Sequence, residues 1–266
     1  MTGNLLVVGM GIKFSCDLSL ESQKAITSSD KVYYLVADPL SAKFIKDMNS
    51  SAESLHDLYV IGKPRKETYL MMVDRVLGSV RKGLNVCMVS YGHPGVFGFP
   101  MHESVRLAKA EGIKAKMLPG ISAEAVLYAD LGIDPGTSGC QSFEATDFLV
   151  YSRIFDPASL LILWQIGVIG SLDYQEKFPQ SGLKFLLDKL LMTYEPSHKI
   201  FIYEAAQLSF TQPRITHIEL SKLLDYQINP ISTLCVPPRY IRSPDKLMLD
   251  ALGLIQPPLA STPYQK

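Results

Sequence analysis

In the first half of the chain, apolar runs end on glycine or proline turns, and this restricts the fold more than any other property. Leu5-Leu6-Val7-Val8 leads into Gly9-Met10-Gly11, and Val86-Cys87-Met88-Val89-Ser90 into Tyr91-Gly92-His93-Pro94-Gly95-Val96-Phe97-Gly98. Lys114-Ala115-Lys116-Met117-Leu118 leads into Pro119-Gly120-Ile121-Ser122-Ala123. Such runs read as buried parallel strands, and glycines after them let backbone approach a ligand without side-chain obstruction. Strand candidates at 5–9, 31–36, 85–90 and 114–118 alternate with helical patterns at 20–28, 39–48, 67–82 and 101–111. The alternation predicts a doubly wound, mostly parallel α/β sheet. Ligands bind such sheets at the carboxyl ends of the strands, so the three turns are expected to share one crevice.

The second half reads differently. A helix over 122–131 ends at Gly132, and the turn-rich 133–139 suggests a domain boundary near 135. Beyond it, β runs at 160–166, 199–203, 214–218 and 231–236, with helices at 182–194 and 220–224, predict a smaller α/β domain with a mixed sheet. The expected organisation is therefore 1–135, 136–240 and a surface tail over 241–266. Lysine plus arginine and aspartate plus glutamate both number 26, so no global positive field recruits nucleic acid or an anionic membrane. The longest apolar run, 160–170, is too short to span a bilayer, and the N-terminus enters a strand without a basic signal segment. A cytoplasmic protein is expected. Cys16, Cys87, Cys140 and Cys235 lack Cys-x-x-Cys spacing and read as structural thiols.

An ordinary dinucleotide fingerprint fits poorly. Gly9-Met10-Gly11-Ile12-Lys13-Phe14 lacks the third glycine at its required position, and only Asp38 after the second strand is available for a ribose hydroxyl.

Val8-Gly9-Met10-Gly11, Gly92-His93-Pro94, Pro119-Gly120-Ile121-Ser122-Ala123 and Leu131-Gly132-Ile133 occur in the order seen in tetrapyrrole methylase-like methyltransferases. The chain resembles that superfamily, whose members use S-adenosylmethionine. The superfamily usually carries Pro-Gly-Asp where this chain has Ile12-Lys13-Phe14, and Gly-Asp-Pro where it has Gly92-His93-Pro94. Both departures point away from an ordinary corrin or porphyrin methylase. Tyr91 through Phe97, and the stretch Tyr59-Val60-Ile61-Gly62-Lys63-Pro64-Arg65-Lys66-Glu67-Thr68-Tyr69, resemble instead the borosin branch, which methylates backbone amides of a ribosomally made peptide. Leu163-Trp164-Gln165, Tyr203-Glu204-Ala205-Ala206 and Ile231-Ser232-Thr233-Leu234 are similar to that branch as well.

The resemblance implies catalysis by Tyr59, Arg65 and Tyr69, without a metal. It implies S-adenosylmethionine, and S-adenosylhomocysteine as product, held by Gly9, Gly11, Tyr91, His93, Val96 and Phe97, and by Ser122 and Ala123. The second domain is expected to complete the cofactor cleft with Gln165, Tyr203, Ala205 and Thr233. Fused borosin enzymes continue into an extension carrying their own substrate, so the resemblance is to the split form, acting on a precursor peptide on a separate chain. A homodimer carrying two peptides is expected from the superfamily. Two alternatives stay open: another tetrapyrrole-methylase-like enzyme with a small substrate, and a catalytically silent peptide-binding module.

The chemistry explains the residue types. A peptide nitrogen shares its lone pair with the carbonyl, the delocalisation behind a rotation barrier of roughly 18–20 kcal/mol, and is a very poor nucleophile. It must lose its proton or be twisted. A tyrosine with an ordinary pKa of about 10 is neutral at pH 7, but a nearby cation lowers that value. Arg65 and Tyr69 are four apart and share a helix face if Pro64 occupies the first turn. Tyr69 or Tyr59 is then the base, with Arg65 stabilising phenolate and the developing imidate oxygen. His93 either transfers protons or bonds backbone beside the cofactor. Trp164 reads as core, and Gln165 as an adenine contact or a buried amide needing a partner.

Overall fold

Alternate residues of β1 (Asn4–Gly9) bury on opposite faces of a sheet, Leu5 and Val7 against one helical layer and Val8 against the other. That is the pattern of a strand covered on both sides. In the computed structural model, which describes residues 3–36, 38–175 and 178–255, the chain divides into two units. The first comprises Met1–Val126, Leu172–Glu176 and Ala205–Gln212; the second comprises Leu127–Ser171, Lys177–Glu204 and Pro213–Lys266. The division falls at 126/127 rather than near 135, and two short later segments return to the first unit, which no single boundary along the sequence can express.

In the first unit, α1 (Leu20–Ser28), β2 (Lys31–Leu35), α2 (Pro39–Met48), β3 (Glu53–Ser54), α3 (Arg65–Arg81), β4 (Asn85–Ser90), α4 (Phe99–Ala110), β5 (Lys114–Met117) and the start of α5 (Ala123–Leu131) follow β1. The sheet is parallel, in the order β3-β2-β4-β1-β5. Ala25, Ile26 and Ile45 from α1 and α2 pack with Val8, Cys87 and Val89 on one face. Met72, Val73, Val76, Leu77 and Val80 of α3, with Met101 and Ala108 of α4, pack with Leu5, Val7, Val86 and Met88 on the other. Each fully buried side chain of this kind contributes about 1.5–3 kcal/mol. The Asp38 side chain accepts a 2.8 Å hydrogen bond from Ser41 N, and Pro39 opens the helix. Asp38 is thus a helix cap.

β1 and β4 are neighbours, yet the chain leaves β1 toward β2 and leaves β4 toward β5, on opposite sides of the pair. Such a switch point opens a crevice at the strands' carboxyl ends.

The second unit holds β6 (Cys140–Glu144), α6 (Ala145–Val150), β7 (Leu160–Trp164), α7 (Ser181–Leu191), β8 (Lys199–Glu204), β9 (Arg214–Glu219), β10 (Thr233–Val236) and α8 (Lys246–Ala251). Its sheet runs β6-β7-β10-β8-β9, with β6 and β7 parallel and the other pairs antiparallel. All five residues of β7 are buried. The helix expected at 220–224 is a 3₁₀ segment, Leu220–Asp225. The expected surface tail contains α8, which buries none of its residues and is capped by Asp245; residues 256–266 lie outside the described residues. Among the described residues no helix is long and apolar enough to cross a membrane.

Candidate active site

The three glycine turns meet backbone to backbone. Met10 N donates to Ser90 O at 2.9 Å, and Gly92 N donates to Gly11 O at 2.8 Å. A Cβ on Gly9 would stand 2.1 Å from Gly92 O, and one on Gly120 would stand 2.7 Å from the same oxygen. The turns therefore meet at the carboxyl ends of β1, β4 and β5, and glycine at 9 and 120 is required by turn packing on turn. Asp17 accepts from Ile12 N at 3.0 Å and Lys13 N at 2.8 Å, fixing the loop where the superfamily usually has Pro-Gly-Asp. Beneath the turns, the buried Ser90 hydroxyl has no hydrogen-bond partner among the described residues.

His93 Nδ1 accepts from Gly95 N at 2.9 Å, so in the neutral ring the proton sits on Nε2. Val96 and Phe97 are exposed beside it, Phe97 with φ 51°. Ser122 accepts from Ala125 N at 3.2 Å and caps α5, whose first residue is Ala123. That bond accounts for Ser122 structurally.

The stretch that carries Tyr59, Arg65 and Tyr69 leaves the carboxyl end of β3, a strand not anticipated from sequence. A 3₁₀ turn, His56–Leu58, delivers Tyr59, and Pro64 directly precedes α3. Arg65 opens that helix and Tyr69 follows one turn later, so the expected shared face is present. The Tyr59 hydroxyl is hydrogen-bonded to Tyr69, with ring centroids 6.5 Å apart at 84°. Burial first, then Tyr69, pushes the Tyr59 phenol far above its ordinary value, and the opposing pull of Arg65 is outweighed. The sequence expectation that Arg65 makes this phenol acidic fails for Tyr59 because desolvation wins. The hydrogen bond also raises the value, the sign expected when Tyr59 donates to the Tyr69 oxygen. Tyr91 keeps 62% of its surface exposed, while desolvation and Tyr69 raise its phenol. Phe99 lies 6.1 Å from Tyr69, ring to ring.

Two neighbours of Tyr59 emerge only from the structure. Tyr174 lies over Tyr59 with centroids 4.8 Å apart at 30°, and His56 sits 5.1 Å from Tyr59. Tyr174 belongs to a segment of irregular pattern whose place only the fold reveals. His56 is exposed but packs on this ring, whereas its neighbour Asp57 pairs with Arg75 at 2.9 Å.

In the second unit, β7 stops at Trp164 because Gln165 turns into the left-handed region at φ 59°, ψ 37°, an uncommon conformation for glutamine. Its side-chain amide makes no hydrogen bond to another described residue. Ile166 N donates to Ser232 O at 3.2 Å, tying this turn to the loop before β10. That loop is held by Glu204, whose Oε1 accepts from Arg214 at 2.9 Å, Asn229 at 3.0 Å and Ser232 Oγ at 2.5 Å. Tyr203 is buried and donates to Asp130 at 2.7 Å, and Thr233 is buried opposite it in the β8–β10 register. Tyr203, expected among the cofactor contacts, thus has its hydroxyl bonded to a carboxylate. Ala205 begins the segment that returns to the first unit.

The likeness to known proteins follows this arrangement. Residues 4–164 match the family described as Tetrapyrrole (Corrin/Porphyrin) Methylases. The chain is 40% identical over 258 residues to a methyltransferase/ribosomally synthesized cyclic peptide gymnopeptides precursor of Gymnopus fusipes, covering 95% of this chain and 61% of that protein. It is 40% identical over 244 residues to a methyltransferase/type I borosin cyclic peptide precursor of Coprinopsis marcescibilis, covering 89% of this chain and 62% of that protein. The chain spans about three fifths of the length of these curated relatives. Among solved structures, a uroporphyrin-III-C-methyltransferase from Thermus thermophilus superposes with a TM-score of 0.63 at 16% identity, over 97% of this chain and 99% of that one. A cobalt precorrin-4 methyltransferase gives 0.61 at 17% identity, over 88% and 94%. With its glycine turns at the carboxyl ends of a doubly wound sheet and a family match over most of its length, the chain belongs to the tetrapyrrole methylase family and resembles its borosin members in sequence.

Proposed function

We propose that this chain is an S-adenosylmethionine-dependent methyltransferase that N-methylates backbone amides of a ribosomally made peptide. The observation that carries the reading is the Tyr59–Tyr69 hydroxyl pair, with Arg65 one helical turn before Tyr69, at the carboxyl end of the sheet, the end at which the glycine turns also lie. The names of its relatives, which couple a methyltransferase to a cyclic peptide precursor, support it.

The residues present fit the methyl donor. The packed turns present the exposed side chains of Tyr91, Val96 and Phe97 beside the orphaned Ser90 hydroxyl, a mixed polar and aromatic surface suited to a nucleoside with an amino-acid tail. Gly9, Gly11, His93, Ser122, Ala123 and Ala205 would hold it from the first unit, and Gln165 and Thr233 are the residues we assign to it from the second. When bound, S-adenosylmethionine supplies a sulfonium-borne methyl group and departs as S-adenosylhomocysteine.

The chain's own residues must make the amide nitrogen reactive. Tyr69, in its ionised form, accepts the amide proton at its phenolic oxygen. Tyr59, held neutral by burial, donates to that oxygen and supports its charge. Arg65 faces the charge that develops on the peptide oxygen as the nitrogen loses its proton, a contribution of a few kcal/mol to the barrier reduction. After methylation the nitrogen carries no hydrogen, and the abstracted proton leaves from Tyr69 to solvent.

The test is mass spectrometry of a candidate precursor peptide incubated as a separate chain with enzyme and S-adenosylmethionine. Mass gains of one methyl group per modified amide, located by fragmentation to backbone nitrogens, support both the activity and delivery in trans. Methylation confined to a peptide fused to the chain would refute delivery in trans, and side-chain methylation would refute the amide reading. We further propose a homodimer carrying two peptides, which light scattering at twice the chain mass would support and a fully active monomer would refute.

A further inference from the structure

The turn between Tyr59 and Arg65 is held by a piece of chain more than a hundred residues away in sequence. Gly62 N donates to Tyr174 O at 2.9 Å, Tyr174 N donates to Lys63 O at 3.1 Å, and Arg65 N donates to Leu172 O at 3.1 Å. Pro64 and Asp173 form an antiparallel bridge between these bonds. Residues 172–174 therefore act as a short strand laid along residues 62–65, within the first unit. Two consequences follow from this pairing. The first turn of α3, from which Arg65 projects, has an amide satisfied by Leu172 rather than by water. Tyr174 is also presented so that its ring lies on Tyr59, at 4.8 Å and 30°, while its edge meets His56 at 6.4 Å and 86°. Aromatic pairs attract at centroid separations of roughly 4.5–7 Å, and a ring clamped on one face and one edge has lost its freedom to swing.

We propose that Tyr174 is a positioning residue for the catalytic pair: the 172–174 strap fixes the loop from Tyr59 to Arg65, and the Tyr174 ring holds Tyr59 in the orientation that donates to Tyr69. This rests on the methyltransferase reading above. The strap acts through geometry and through exclusion of water from one face of Tyr59. The ring of Tyr174 is what matters; its hydroxyl makes no contact the role requires. His56 touches both rings and completes a three-ring cluster with Tyr59 and Tyr174.

The experiment compares Tyr174→Phe, Tyr174→Leu and Tyr174→Ala in the full chain, by peptide methylation and by ultraviolet titration of tyrosines. Misplacement of a catalytic group by about an ångström can cost about 100-fold, so Tyr174→Leu and Tyr174→Ala should lower kcat about 10- to 100-fold with KM for peptide within about threefold, and Tyr174→Phe should restore the rate. Tyr174→Leu keeps apolar volume and guards against simple unfolding, which its melting curve reports. In Tyr174→Leu one phenol should titrate at lower pH than in the parent, and that change should vanish when Tyr59→Phe is added. A leucine variant with the parent's kcat and titration would overturn the proposal, as would a phenylalanine variant as slow as the alanine one. Absence of methylation by the parent chain would instead overturn the methyltransferase reading, leaving the titration to decide the placement of Tyr59.

Discussion

Tyr59, half-buried in the first unit, and Tyr203, buried in the second, both hold their protons more tightly than an exposed phenol, and they do so for different reasons. Burial leads in each. Tyr203 is then locked by its 2.7 Å bond to Asp130, a charged acceptor that penalises phenolate directly. Tyr59 instead faces a second phenol and an arginine, the latter working against its proton. A tyrosine bonded to a carboxylate has one stable state and serves packing. A tyrosine bonded to another tyrosine beside a cation belongs to a pair in which charge can reside on the partner oxygen. On the proposed mechanism the difference separates a structural phenol from a chemical one, although the sequence and its resemblance nominated both.

The strongest way to break this comparison is to remove each hydroxyl alone. Tyr69→Phe should lower single-turnover methylation by about 10²- to 10⁴-fold, the usual contribution of general-base catalysis, while retaining peptide affinity. Tyr59→Phe and Arg65→Ala should also be slow, because the first removes the donor to the Tyr69 oxygen and the second the cation facing the peptide oxygen. Tyr203→Phe should lose stability instead, about 1–3 kcal/mol, because Asp130 keeps its desolvation without its donor. Denaturant melts and quenched-reaction mass spectrometry on the set decide it. A stable but inactive Tyr203→Phe would collapse the distinction.

Next in size is the network behind Gln165. Glu204 gathers Arg214, Asn229 and Ser232 on one oxygen, and its side chain is only 11% exposed. Replacing it with alanine strands those donors, and because Arg214 is partly solvated the expected cost is about 2–4 kcal/mol, below the range for a fully buried pair. The shift in urea midpoint measures it. A loss under about 0.5 kcal/mol would mean that the loop is held by packing alone.

How much of this was legible in the sequence also divides by unit. β4, α1 and α2 were readable to the residue because their apolar periodicities are clean and their caps, Ser19 and Asp38, are local signals. The convergence of the three turns followed from the topology that periodicity implied. β3 has two residues and β6 reads Cys-Gln-Ser-Phe-Glu, so neither carries an apolar run, and both become strands only because β2 and β7 offer an edge. Tyr59, Arg65 and Tyr69 were legible through spacing and resemblance. Tyr174 and the Tyr203–Asp130 bond were not, since each depends on residues 73 or more apart in sequence. The sign of the Tyr59 shift was misjudged because a cation four residues from a tyrosine is visible in sequence and desolvation is not.

Alkaline titration sharpens the comparison further. The phenols of Tyr59, Tyr194 and Tyr203 are raised in the folded chain, and burial pushes the Cys87 thiol up to about 12. A group whose folded pKa lies above its unfolded value contributes stability that is fully present below the unfolded pKa and is lost as pH rises toward the folded one. Stability should therefore be flat to about pH 9 and then fall, by about 1.4 kcal/mol per pH unit for each group between its two values. Tyr203→Phe should flatten the fall more than Tyr59→Phe, because the Asp130 charge adds to burial at Tyr203 whereas Arg65 subtracts at Tyr59. Equal slopes in the two variants would erase the electrostatic contrast.

The smallest expected effect concerns Gln165, which holds a left-handed backbone without the glycine that such a turn favours. A non-glycine residue there costs of order 1–2 kcal/mol, and glycine loses about 0.5–1 kcal/mol of that gain through its freer unfolded chain. Gln165→Gly should consequently leave stability unchanged or raise it by up to about 1 kcal/mol, an unusual outcome for a loss of side chain. If the strain is kept because the amide meets the methyl donor, the same substitution should weaken binding of S-adenosylhomocysteine, as calorimetry would read, and Gln165→Asn should weaken it too by shortening the reach. A stabilised Gln165→Gly that binds the product as tightly as the parent would leave the turn as strain without a ligand to explain it, and would move the search for an adenine contact away from this turn.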